Sequence, residues 1–235
     1  MKDWELRPAR DHGLGPAERL RSLGREPGLG TQLSSAVWRA ATRGVLRLGY
    51  GLQVEGRENL PAAPFVLVGN HTSHLDALTL AAAMPPALSG RVFALAAGDT
   101  FFTSDASSAF AAYAINALPI WRKHTSADDL ATLRQRLVED GCVLILFPEG
   151  TRSRTGALGR FRPGIGALVA GTDVPVVPCF LQGAFEAWPA GRRLPGRGRL
   201  RLRIGAPLGF ADAASDRAGM VEVAAACEAA VRGLG

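Results

Sequence analysis

Lysine is nearly missing from this chain: Lys2 and Lys123 are the only two in 235 residues, so arginine carries almost all of the positive charge. Cysteine is scarce as well. Cys142, Cys179 and Cys227 are odd in number and form no C-x-x-C pair, which speaks against a disulfide framework or a structural zinc site and favours a reducing, cytoplasmic compartment. No run approaches the roughly 18 to 20 apolar residues that a spanning helix needs, and the N-terminus has no apolar signal core, so any membrane role is expected to be peripheral. The G-x-S-x-G elbow of serine acyl-enzymes is absent.

What remains is ample for one core. Hydrophobic residues make up 47% of the chain, which suits a single domain with appendages. A formal charge of +6 and a pI near 10.0 favour anionic partners such as phosphate groups, acidic lipid surfaces or an acidic carrier protein. Without an aromatic platform or a recognisable reading helix, a nucleic-acid partner is not expected.

Residues 1–30 are rich in Arg, Pro and Gly without periodicity and read as a poorly ordered basic arm. Residues 31–50 read as an amphipathic helix: Leu33, Val37, Ala40, Ala41, Val45 and Leu48 follow a helical spacing, and Arg39, Arg43 and Arg47 recur every four residues. That basic stripe is either a solvated face or one that meets anionic lipid. Residues 51–235 then alternate apolar runs with helical spacing, predicting strands near 51–55, 65–69, 91–96, 116–121, 142–147, 174–181 and 199–205. Helices are expected near 73–83, 105–114, 126–139, 164–171 and 216–232. The fold class is therefore α/β, a single domain with a mostly parallel or mixed central sheet flanked by helices. In "RLRLRIG", Arg199, Arg201 and Arg203 fall opposite Leu200, Leu202 and Ile204, as on a charge-protected edge strand or a second basic patch.

Chemistry concentrates in two stretches. "GNHTSHLDAL", residues 69–78, follows an apolar run and opens a helix. Thr72 or Ser73 could cap that helix, but capping leaves His71 and Asp76 unexplained. An aspartate folding back on His71 would fix its tautomer and raise the basicity of the other ring nitrogen, making a general base. A metal site on His71, His74 and Asp76 is the weaker alternative, because His12 and His124 lie in unpromising contexts. The second stretch, "LFPEGTRSRTG" at 146–156, sets Glu149, Gly150, Thr151 and Arg152 at the carboxyl end of a buried strand, where backbone and guanidinium donors can hold a phosphate.

These residues resemble the glycerolipid acyltransferases of the 1-acylglycerol-3-phosphate O-acyltransferase type. The family's N-H-x-S-x-x-D is matched by Asn70, His71, Ser73 and Asp76, and its F-P-E-G-T-R-S by Phe147 to Ser153, with "GRFRPG" following. Val174 to Pro178 looks like its V-P-V-x-P stretch, and the likeness runs from about residue 51 to 208. The second motif departs: its opening reads "AAGDTFF" without the usual lysine, and only Arg122 at the end fits.

The resemblance implies transfer of an acyl chain from a thioester on coenzyme A or acyl carrier protein to the hydroxyl of a lysolipid, foremost 1-acyl-glycerol 3-phosphate. It assigns His71 and Asp76 to catalysis, Glu149, Gly150, Thr151, Arg152 and Arg122 to substrate binding, and Asn70 and Ser73 to support, with no cofactor or metal. His74 is read as a residue that packs beside or supports the site rather than as a second base. The location implied is peripheral, on the inner face of the cell membrane. A different lysolipid acceptor and a non-catalytic membrane-binding module stay open as alternatives.

Overall fold

Apolar runs bounded by turn residues become strands, and stretches with helical spacing become helices, close to the order predicted. The computed structural model describes residues 11–25, 29–88, 90–120 and 126–235. It begins with α1 (Pro16–Arg21), α2 (Leu29–Gly44, widening into a π-helical turn over Val45–Gly49), β1 (Gln53–Glu55), β2 (Phe65–Gly69) and α3 (Asp76–Ala83). Then come β3 (Val92–Ala97), α4 (Gly98–Phe101), α5 (Asp105–Ala114), β4 (Leu118–Ile120), α6 (Ala127–Glu139) and β5 (Val143–Leu146). The chain closes with α7 (Gly164–Val169), β6 (Thr172–Gln182), α8 (Ala184–Ala187), β7 (Arg201–Ile204), β8 (Leu208–Phe210) and α9 (Arg217–Arg232).

The sheet runs β1-β7-β6-β2-β5-β3-β4 with β8 paired to β6. It is mixed: β7 and β8 lie antiparallel to β6, and the other pairs are parallel. Strand β2 sits at its centre, and Phe65, Val66, Leu67 and Val68 are fully buried. Alternation along the strand sends Phe65 and Leu67 into one core with Leu80 of α3 and Leu46, and Val66 and Val68 into the other with α6, α7 and α9. Burying each such side chain is worth about 1.5 to 3 kcal/mol. The sheet thus holds the carboxyl end of β2 in a fixed place.

Two expectations are corrected. First, the arginine stripe of α2 does not present itself to solvent as a whole. Arg43 donates from Nε to the Ala82 carbonyl (3.0 Å) and from Nη2 to Met84 (2.7 Å), and Arg57 donates to Ala83 (2.9 Å). The last carbonyls of α3 have no helical partner and draw the guanidiniums inward. Arg39 turns in too, and burial lowers the pKa of both Arg39 and Arg43. Arg47 stays exposed, and beside it lies an apolar strip in which Val37, Val45 and Leu48 are 65%, 59% and 91% exposed. Second, β7 is no edge strand. It pairs with both β1 and β6, its Leu202 and Ile204 are buried along with the preceding Leu200, and Arg201 and Arg203 reach Glu55 of the short outer strand β1 at 3.4 and 3.6 Å.

Within the stretch read as an arm, the described part is tied down. Arg21 pairs with Asp105 at 2.7 Å, Arg25 donates to Asn116 at 2.8 Å, and Arg136 donates to the Leu23 carbonyl.

Candidate active site

Strands β2 and β5 are parallel neighbours in register, Val68 opposite Leu146. The residues that follow each strand therefore emerge side by side, which is why stretches far apart in sequence meet. Asn70 prolongs the ladder with its side chain: Nδ2 donates to the Leu181 carbonyl at 2.9 Å, and Oδ1 accepts from the Leu181 N–H at 2.8 Å. His71 comes next, with its ring stacked on Phe147 at 4.2 Å between centroids and 13° between planes. The two loops are stitched together twice. The His71 N–H donates to Glu149 Oε1 at 2.7 Å, and the Ser153 N–H donates to the His71 carbonyl at 2.7 Å.

Asp76, the first residue of α3, is fully buried and folds back as the spacing predicts. Its Oδ2 accepts from His71 Nδ1 at 2.8 Å and from the backbone N–H groups of Thr72 and Ser73 at 2.7 and 2.8 Å. A carboxylate oxygen that already accepts two amide bonds requires the imidazole to donate, so Nδ1 carries the proton and Nε2 the lone pair. Ser73 Oγ donates to the Trp188 carbonyl at 2.7 Å and accepts from the Leu75 N–H at 3.1 Å, fixing the turn between the two.

Glu149 binds the loops rather than a cation. Its other oxygen accepts from the Gly159 N–H at 2.9 Å. Burial raises its pKa against the pull of those two amide bonds. Gly150 follows at φ +73°, a left-handed turn suited to glycine, where an added Cβ would lie 3.0 Å from Arg162 Nε. Thr151 is exposed. Arg152 is half-buried, its pKa lowered by burial, and Nη1 lies 2.6 Å from Nδ1 and 2.9 Å from Nε2 of His74. Arg122 lies outside the described residues.

His71, His74, Gly150, Thr151, Arg152 and Trp188 all line one cavity of about 310 Å³, which continues over apolar Leu95, Phe101, Phe110 and Ile115. On the outer side of the 149–160 loop runs a wider groove of about 1040 Å³ carrying Arg152, Arg154 and Arg160. Among the described residues no three His, Cys, Asp or Glu side chains converge as metal ligands. The cysteines are buried thiols, with Cys179 and Cys227 pushed up to about 12 by burial, so none offers an activated nucleophile. What the geometry offers is a carboxylate-oriented imidazole at a mostly apolar hollow with, among the described residues, the Arg152 guanidinium on its wall.

The acyltransferase family model matches residues 51–182, which takes in both loops and the strands that carry them. The chain belongs to the acyltransferase family. It is 32% identical over 163 residues to a chloroplastic 1-acyl-sn-glycerol-3-phosphate acyltransferase, BAT2, of Brassica napus, covering 68% of this chain and 45% of that one. It is 28% identical to the 1-acyl-sn-glycerol-3-phosphate acyltransferase of Bacillus subtilis over 73% of this chain and 81% of that one. The chain thus spans less than half of the Brassica protein and most of the Bacillus one. In fold it is similar to the 1-acyl-sn-glycerophosphate acyltransferase PlsC of Thermotoga maritima, at a TM-score of 0.58 and 23% identity over 83% of this chain and 78% of that one.

The structure of this family member also shows residues that motif reading passes over. Trp188 packs its ring on His74 at 4.9 Å, while its carbonyl accepts from both Ser73 Oγ and the His74 N–H. Nothing in the local pattern around Trp188 announces this, because the contact is set by where β6 and α8 deliver the chain. His74 packs against Trp188 and also touches Arg152, as a residue supporting the site would.

Proposed function

We propose that this acyltransferase-family chain transfers an acyl group from an acyl thioester to the free hydroxyl of 1-acyl-sn-glycerol 3-phosphate, giving phosphatidic acid. The observation that carries the reading is the His71 and Asp76 pair, 2.8 Å apart, with His71 lining the same cavity as Arg152. Relatives named as 1-acyl-sn-glycerol-3-phosphate acyltransferases support the choice of acceptor.

His71 Nε2 takes the proton as the hydroxyl oxygen attacks the thioester carbonyl, and Asp76 stabilises the imidazolium formed. The C–S bond then breaks, and the leaving thiolate takes the proton back from His71. Transfer is direct and needs no acyl-enzyme, in keeping with the unactivated thiols. Arg152 holds the acceptor phosphate, and the apolar walls beyond it receive an acyl chain. Glu149 keeps the 149–160 loop against His71. Arg154 and Arg160 in the outer groove offer charge to the anionic part of the donor, whether coenzyme A or acyl carrier protein.

The lipid reaches the cavity from a membrane surface. Among the described residues no helix is long and apolar enough to cross a membrane. The exposed side of α2 nevertheless carries Val37, Val45 and Leu48, and α5, tied to it by the Trp38 bond to the Ala114 carbonyl (2.9 Å), exposes Phe110 and Tyr113. Phe110 also lines the cavity, so the apolar face runs to its mouth. Docking by this face would hold the protein peripherally on a membrane, with the inner surface of the cell membrane as the side expected from its sequence.

A panel of lysolipid acceptors tests the reading. Phosphatidic acid should form from 1-acyl-glycerol 3-phosphate, with Arg152→Ala raising the KM for that acceptor about tenfold or more, as expected for loss of a charge-assisted bond. Faster turnover of a lysolipid without a phosphate monoester would move the substrate.

A further inference from the structure

Among the described residues, Arg152 is the only arginine or lysine lining the cavity, and it does not face it alone. Its Nη1 lies within hydrogen-bonding distance of the His74 ring, and His74 lines the same hollow. A guanidinium can only donate, so this contact requires a neutral imidazole offering a lone pair. Protonating His74 would set two positive charges side by side unless an anion lay between them. The pair is therefore a seat suited to negative charge, with one permanent cation and one that can be recruited.

We propose that His74 and Arg152 together seat the dianionic phosphate of the acceptor, and that His74 takes up a proton from solvent as that phosphate binds. The inference rests on the reading of this cavity as the acceptor site. It extends that reading from one arginine to a proton-linked pair, with His74 selecting headgroup charge rather than acting on the reacting atoms. Among the described residues, the following groups bear on the ring. Arg152 faces it from the loop after β5, His71 and Asp76 from its own segment, and the Trp188 ring and Ala190 backbone from the segment after α8. Burial, then Arg152, hold His74 below the ordinary histidine range, with His71 adding to the effect; the Ala190 hydrogen bond and the Asp76 carboxylate pull the other way. A dianion between the two rims offsets the Arg152 repulsion and attracts the imidazolium directly. A neutral or zwitterionic headgroup supplies no such net charge, so the device favours a phosphate monoester.

The test is an NMR pH titration of the imidazole signals in the full chain, which has four histidines, with His74→Gln assigning the His74 signal. Titrations are run empty and saturated with 1-acyl-glycerol 3-phosphate, no acyl donor being present, and with 1-acyl-glycerol as the uncharged control. The His74 midpoint should move up with the phosphate ligand and not with the control. Wild-type affinity should fall by up to about tenfold per pH unit as His74 loses its proton, while His74→Gln binds with a flatter profile above the phosphate's own ionisation near pH 6. An unmoved or lowered midpoint in the saturated wild type overturns the inference whatever the variant does. If the ligand does not bind, or binds Arg152→Ala as tightly as wild type, the acceptor reading falls and the inference with it. Loss of binding in Arg152→Ala with an unmoved His74 midpoint removes His74 alone.

Discussion

Three donors converge on a single oxygen of Asp76, and this fixes what each substitution in the pair should do. His71→Ala removes the proton acceptor but leaves the Thr72 and Ser73 amide bonds intact, so the variant should fold and lose about 10²- to 10⁴-fold in kcat, read as acceptor-dependent thiol release. Asp76→Asn keeps the size but loses the charge that steadies the imidazolium; on the order of 10²-fold in kcat should go, with a melting temperature close to that of wild type. His74 carries a pH signature of its own. Because its folded pKa is lowered, the unfolded chain binds the extra proton first as pH falls, so its contribution is present above the ordinary histidine range and is lost on acidification. Glu149, with its raised pKa, contributes the opposite slope, stability falling as pH rises through the window above the ordinary carboxylate range. Melting curves of wild type against His74→Gln from about pH 5 to 8 isolate the histidine part. A smaller acid loss in the variant is expected, and an unchanged slope would show that the ring is not held neutral by its surroundings.

At the scale of elements, seven of the eight described strands and most helices were legible, because a buried strand is written as an apolar run such as Phe65 to Val68 and a helix as apolar positions at period 3.6, as in α9; the three-residue β8 carries no such signal. Which side of α2 faces the domain was not legible. Its apolar and arginine faces are equally periodic, and the choice is made by the carbonyls at the end of α3, a partner that no local pattern names. The place of β7 escaped for a similar reason: alternation says which face is buried, not which strands lie on either side. Arg43→Met should accordingly cost about 1 to 2 kcal/mol in denaturant unfolding by stranding those carbonyls. A neutral result would make the guanidinium contacts incidental. Packing of α7 on α9 depends on Gly166, where an added Cβ would lie 2.4 Å from Met220 Cα. Gly166→Ala should therefore destabilise by about 1 to 3 kcal/mol in the same measurement.

For the molecule as a whole, the parallel pair β2 and β5 turns two distant sequence stretches into one site, and the same placement opens the cavity toward the apolar face of α2 and α5. The motifs themselves were legible; the wall made by Trp188 and the contact of His74 with Arg152 were not, since they depend on how the chain returns after β6. If the apolar face carries the protein on lipid, Leu48→Glu should reduce sedimentation with phospholipid vesicles several-fold and leave the melting temperature within about 1 °C, since Leu48 is 91% exposed. Equal vesicle binding would place the docking surface elsewhere. The central claim remains the chemistry at His71, and the most direct measurement is single-turnover thiol release from acyl-coenzyme A and acyl carrier protein thioesters, with 1-acyl-glycerol 3-phosphate, by wild type and His71→Ala. The account predicts release that requires the acceptor, matches the phosphatidic acid formed, and drops at least about 10²-fold in the variant. Equal release by His71→Ala, or release without acceptor, would contradict it.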